Sequence, residues 1–208
     1  MANETTFKRP LPTIGVDKYT FFPVTADTEE TLTYGTAVSL PGIVEISPTD
    51  AGGSDVFDAD NGAYCSESYI EKLGHEITTA DIPPEVDAMW RGIEMKDGLV
   101  RVTNTVGTKY FGVAWRILKP DNKYRYVRYL KGSYSFASNV GGKTKPSQGA
   151  SEKQTAKATY TAVQTANSNC YYEYIDEDNF PKDLTREAFE AEWFKSPTYT
   201  PATPVVSG

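Results

Sequence analysis

One histidine, two cysteines and a few paired carboxylates are all that this sequence offers for chemistry. His75 stands in Gly74-His75-Glu76 with no second histidine and no cysteine motif beside it. It is expected to be a structural or surface residue, not a metal ligand or general base. Asp58 and Asp60 alternate in the acidic segment Phe57-Asp58-Ala59-Asp60-Asn61. Such a pair could hold a cation or work as an acid–base couple on a glycoside. The EF-hand pattern is missing, however, and loop solvation or a subunit contact suits the segment better. Asp176-Glu177-Asp178 reads as a solvated turn after a strand. Cys65 and Cys170 make neither a disulfide framework nor a zinc site; reduced thiols are expected, with a single bridge between them as the alternative. No nucleophile elbow, phosphate-binding loop or dinucleotide fingerprint occurs. The expectation is a protein that is not an enzyme, with no metal and no cofactor.

The remaining chemistry is electrostatic. Between Lys109 and Lys157, eleven Lys or Arg face only Asp121 and Glu152, while the whole chain carries a net charge of −7. The middle is basic and both flanks are acidic. Tyr124, Tyr126 and Tyr129 interleave with Arg125 and Arg128, as in strands that bind single-stranded nucleic acid. Long basic side chains that cover a sheet face or guard an edge would read the same way. The RNP motif is missing and the chain is acidic overall, which favours that second reading. Docking of the basic middle onto the acidic flanks of another copy accounts for both halves at once.

The elements that carry these residues are mostly strands. With 208 residues, 39% hydrophobic and 24% charged, the chain is long enough for one domain with a sizeable core. Its 14 Tyr, 9 Phe and 3 Trp favour sheet. Strands are expected over 16–24, 36–40, 43–46, 73–77, 99–102, 109–118, 124–130, 154–162 and 170–175. An acidic turn is expected over 27–31. Residues 109–118 set Phe111, Val113, Trp115 and Ile117 on one face, and Pro120-Asp121-Asn122 turns the chain back into a hairpin. In 154–162, Ala156, Ala158, Tyr160 and Ala162 point inward. Residues 50–64 read as a long loop with Val56 and Phe57 as anchors, and 140–149 as a flexible basic loop.

Two helices are expected. Residues 83–91 start on proline, carry Glu85 and Asp87 early and stop at Gly92, with Val86, Met89 and Trp90 on the packed face. Residues 185–194 are capped by Thr185, with Leu184 stapled to Phe189 and Phe189 paired with Trp193. Residues 1–13 form a polar arm, 14–175 a core, and 176–208 the second helix with a proline-rich tail. No stretch approaches a membrane span. The start MANETTFKRP lacks the apolar core of a signal peptide, so synthesis and retention in the cytosol are expected.

Taken in order, several short motifs resemble the major tail proteins that build the tail tube of long-tailed, non-contractile bacteriophages. They are Thr33-Tyr34-Gly35 with Leu40-Pro41-Gly42, Phe57-Asp58-Ala59-Asp60-Asn61, and Ile82-Pro83 with its short helix. The hairpin from Phe111-Gly112-Val113 to Tyr129-Leu130-Lys131-Gly132, then Lys143-Thr144-Lys145 and the last alternating strand, complete the likeness over residues 14–175. The resemblance implies a mainly β, sandwich- or barrel-like subunit with a flanking helix, a long loop and extended terminal arms. It implies hexameric rings stacked into a virion tail tube that conducts genome DNA without binding it, assembled in the host cytoplasm. Partners would be further copies of the chain, a tape-measure protein, a tail terminator and distal tail or baseplate proteins, with no membrane. Asp55, Asp58, Asp60, Arg125, Arg128, Lys143 and Lys145 are then candidates for contacts between subunits or rings, the basic ones being held for other copies and acidic residues lining the lumen. The alternatives are a sandwich module of a receptor-binding or decoration protein, and a nucleic-acid-binding module.

Overall fold

The computed structural model describes residues 10–59, 61–103, 107–135, 141–147, 149 and 153–202, the side chains of Asp58, Ala59 and Ala63 excepted. Strands take 45% and helices 11%, so the class is mainly β, consistent with a sandwich-like fold. In chain order the strands are β1 (Gly15–Asp27), β2 (Leu32–Tyr34), β3 (Val38–Ser39), β4 (Ile43–Pro48), β5 (Ala51–Ala59), β6 (Gly62–Lys72) and β7 (Gly74–Thr79). After helix α1 (Pro84–Arg91) come β8 (Phe111–Leu118), β9 (Tyr124–Tyr134), β10 (Ala156–Ala162) and β11 (Tyr172–Asp176), then helix α2 (Arg186–Trp193). One large antiparallel sheet runs β2-β1-β8-β9-β10-β7-β4, with β3 added to β1 and β11 to β9. β5 and β6 form a separate two-stranded sheet.

Alternation decides which side chains enter the core. Phe111, Val113 and Trp115 of β8 face Tyr19, Phe21, Ile77, Tyr134, Ala158 and Tyr160 in one buried cluster. The long strand β9 gives one edge to β8 and divides the other: Arg125–Tyr129 pair with β11, and Gly132–Tyr134 with β10. α1 packs against this cluster, with the Trp90 ring stacked 3.9 Å from that of Tyr134. Val86, Ala88 and Trp90 are buried, whereas Met89, expected on the packed face, is 36% exposed. Gly92 ends the helix in the left-handed region (φ 65°), where a side chain would be strained.

The opposite face of β1, β8 and β9 is covered by α2. Phe189 and Trp193 stack on each other and bury Phe22, Ala114 and Tyr126. Thr185 caps the helix, its hydroxyl accepting from the Ala188 amide at 3.3 Å. Gly112 serves the same face. A Cβ there would lie 2.8 Å from the Tyr34 ring, whose hydroxyl donates to the Leu130 carbonyl at 2.8 Å. Residues 196–202 continue over the sheet, placing Tyr199 against Phe189. With apolar side chains on both faces, the sheet's central strands are buried from both sides.

Three local expectations are corrected. Residues 36–40 contain only the two-residue strand β3, and 99–102 form no strand. A turn with Asp97 and Gly98 at positive φ is instead closed by a single bridge between Lys96 and Leu99. The supposed loop 50–64 is β5, its turn and the start of β6. Residues 1–9 and 203–208, the ends of the expected arms, lie outside the described residues.

Candidate assembly surface

β5 and β6, of 9 and 11 residues, hydrogen-bond to each other and make no extensive contact with another described element. Their pairing sets Gly53/Tyr69, Asp55/Glu67 and Phe57/Cys65 on one face, and Ser54/Ser68 and Val56/Ser66 on the other. Both faces meet solvent. Phe57 is 63% exposed and Tyr64 73%, their rings meeting edge to face at 6.4 Å, and Val56, Tyr69 and Ile70 are also exposed. A two-stranded ribbon standing alone is marginally stable in water, because it buries too little apolar area to offset the ordering of its backbone. Asp55 and Glu67, directly opposite one another, add like-charge repulsion. Among the described residues, nothing covers the aromatic side chains of this hairpin.

The candidate contact residues divide sharply. Asp55 is exposed on β5. Asp58 lies on the same strand, opposite Ala63, and Asp60 falls outside the described residues. Lys143 and Lys145 are exposed in the basic loop, where the Gln154 side chain accepts from the Lys143 amide at 2.8 Å and donates to its carbonyl at 3.1 Å. Arg125 and Arg128 behave differently. Arg128 is only 4% exposed: its Nε and Nη2 donate to Glu173, its Nη1 to the Tyr199 carbonyl, and its guanidinium lies 4.3 Å over the Trp193 ring. Arg125 makes two bonds to Asp176 directly across from it on β11.

This arrangement extends to most of the basic middle. Arg116 bridges Asp17 and Glu190, Lys119 reaches Asp176 at 2.6 Å, Lys123 pairs with Asp178, Lys131 with Asp27, and Lys157 with Glu76. Bonds to Asp17 and Glu190 push the Arg116 pKa up. Bonds from Arg125, opposed by burial and assisted by Lys119, hold the Asp176 carboxyl below its usual range. Burial would raise Glu190, but bonds from Lys18, Tyr126 and Arg116 outweigh it and lower the carboxyl. The basic middle and acidic flanks therefore meet within one chain. Arg125 and Arg128, expected to be held for other copies, are engaged within the chain, Arg125 by its register with β11 and Arg128 by register and burial.

Among the described residues, no three His, Cys, Asp or Glu converge as a metal site, and both cysteines are free. His75 is buried, its Nε2 bonded to the Tyr19 hydroxyl at 2.8 Å, and burial alone pulls its pKa down to about 3. It is a neutral core residue. A cleft of about 590 Å³ between β1, β3 and α2 is lined by Lys18, Thr20, Ser39, Glu187, Glu190 and Phe194, but Lys18 and Glu190 already form an ion pair there. Among the described residues, neither helix is long and apolar enough to cross a membrane. The exposed residues of β6, Tyr64, Tyr69 and Ile70, were the ones sequence reasoning missed; an aromatic pair flanking Cys-Ser-Glu-Ser was the available signal. The chain matches no protein-family model and no curated protein.

Proposed function

We propose that this chain is a structural subunit that polymerises with its own copies, as stacked hexameric rings forming a virion tail tube. The carrying observation is the β5–β6 hairpin, a long ribbon with exposed aromatic side chains and, among the described residues, no supporting layer. A neighbouring copy would cover Phe57, Tyr64 and Ile70, offsetting the ordering of the ribbon. Its charge is suited to the basic loop. Asp55, Glu67 and Glu71 on the hairpin complement Lys143 and Lys145 of another subunit. Among the described residues, β4 and β2 are the last strands of the hydrogen-bonded order, and ring closure between neighbours would continue the sheet from them. The resemblance to phage tail tube proteins supplies the ring, the lumen for genome DNA and the tape-measure, terminator and distal tail partners.

Electron microscopy of concentrated, untagged protein tests the proposal directly. Hollow filaments are expected from the wild type. Phe57→Ser combined with Tyr64→Ser should abolish them while the thermal unfolding of the sheet body stays unchanged, since the hairpin makes no extensive contact with it. Wild-type protein that stays a discrete oligomer and retains a glycan or a capsid would favour the receptor-binding or decoration module. Filaments that form as readily from the double variant would remove the hairpin from the argument.

A further inference from the structure

A line of aromatic rings crosses the sheet from core to rim. Tyr19 of β1 stacks on Trp115 of β8 at 5.9 Å between centroids, and Trp115 stacks on Tyr129 of β9 at 5.7 Å. Tyr129 stacks on Tyr172 of β11 at 5.0 Å, and Tyr172 on Tyr174 at 6.4 Å. All four ring pairs are within 30° of parallel, at 22°, 16°, 29° and 23°. Register explains the run: Tyr172 lies directly opposite Tyr129, and Trp115 sits one diagonal step away across β8–β9. Tyr19, Trp115 and Tyr129 are buried, whereas the two rings on β11 reach water, Tyr172 at 38% exposed and Tyr174 at 61%.

Tyr174 is not a free stacking platform: Tyr172 lies against one side of it and the Arg125 guanidinium stands 5.6 Å from its ring centre. What the rim rings have, and the core rings lack, is access to water for the phenol proton. Burial drives the phenol pKa of Tyr19, Tyr134 and Tyr160 upward, so those rings hold their protons.

We propose that this ladder is a relay for one-electron oxidation, carrying an electron vacancy from Trp115 through Tyr129 to the rim and discharging it at Tyr174. A radical oxidant of the peroxyl class takes one electron from Trp115, becoming a peroxide anion and leaving an indole radical cation. An electron moving inward along the stack restores the neutral indole. The Tyr174 phenol, having supplied that electron, releases its proton to water and remains as a neutral phenoxyl radical. A hydrogen atom from an ascorbate-class reductant regenerates the phenol. Oxidative damage is thereby moved from a buried strand, where a modified indole would disrupt packing, to a surface ring that can be repaired.

The test is selective photo-oxidation of tryptophan in the intact protein, with a cobalt(III) ammine as electron acceptor and a nitroso spin trap present. Adducts are located by peptide mass spectrometry. The trap is expected mainly on Tyr174 in the wild type. Tyr172→Phe keeps the stacked ring but removes the oxidisable phenol. It should lower the Tyr174 adduct several-fold and raise oxidation of Trp115 by a similar factor. Tyr172→Trp should restore the wild-type pattern. Trp193, on α2 against the other face of the sheet, serves as the internal control and should not change. Equal yields at Tyr174 and Trp115 in the wild type and Tyr172→Phe would overturn the relay, as would undiminished Tyr174 adduct in Trp115→Phe.

Discussion

Arg128 decides between two accounts of the basic hairpin, and Arg128→Met measures which is right. If the guanidinium serves its own chain, the variant loses stability as a monomer; if it serves another copy, it loses only assembly. The bond to the Tyr199 carbonyl is partly buried and charge-assisted, a type that contributes about 1.5–3 kcal/mol. The Glu173 side chain is 44% exposed, so that ion pair is discounted to about 0.5–1 kcal/mol. The desolvated contact over Trp193 adds up to about 2 kcal/mol. These contributions share one side chain and are not additive, and Met refills part of the space, so about 3 kcal/mol is expected for the whole. At this chain length each kcal/mol moves the midpoint by about 2–4 °C, giving a drop of roughly 6–12 °C. Arg125→Met is the internal comparison. Its side chain is 40% exposed, and it should cost no more than about 1 kcal/mol. Urea and thermal unfolding of both variants, followed at a concentration where no filaments form, supply the assay. Equal stability of Arg128→Met and Arg125→Met, with filaments lost only in the former, would refute the cis assignment.

Other parts of the fold yield equally direct expectations. Phe189 is fully buried between Tyr126, Phe180 and Trp193, so Phe189→Ala should cost about 3–5 kcal/mol in urea unfolding; a loss below about 1 kcal/mol would mean that α2 is not part of the cooperative unit. His75 titrates near 6.5 when unfolded and near 3 when folded, so the unfolded chain binds the extra proton as pH falls between those values. Wild-type stability should therefore be fully present above about pH 6.5 and decline below it by up to about 1.4 kcal/mol per pH unit. His75→Phe should remove that slope between about pH 6 and pH 5, above the range where ordinary carboxylates titrate, and a slope unchanged by the substitution would assign it to other groups.

Much of the sheet could be read from residue order alone. β8 and β10 alternate cleanly, because each has one face against the large core and small or polar residues opposite. α1 carries its own start and stop signals and α2 its start signal, and those are local. Residues 50–64, which hold β5 and the start of β6, read as a loop for an equally physical reason. Neither face is buried, so no period-two signal exists, and register shifts at Ala51/Gly52 and Phe57/Asp58 break what alternation there is. Met89 had the right helical spacing for the core, yet it lies at the margin of the packed face, a distinction that spacing does not resolve.

Sequence by itself determined the mainly β class, the inward faces of the long strands, both helices and the segregation of charge into a basic middle with acidic flanks. Tertiary structure alone decided where those charges go. Arg128 and Glu173 are 45 residues apart, and Arg116 and Asp17 are 99 apart. Composition reports that opposite charges exist, but their pairing depends on β1 lying on β8 and β11 on β9 in one particular register, and on α2 closing over the same strands. That choice follows from burying Tyr126, Phe189 and Trp193 together, a non-local packing event that no window of the chain encodes.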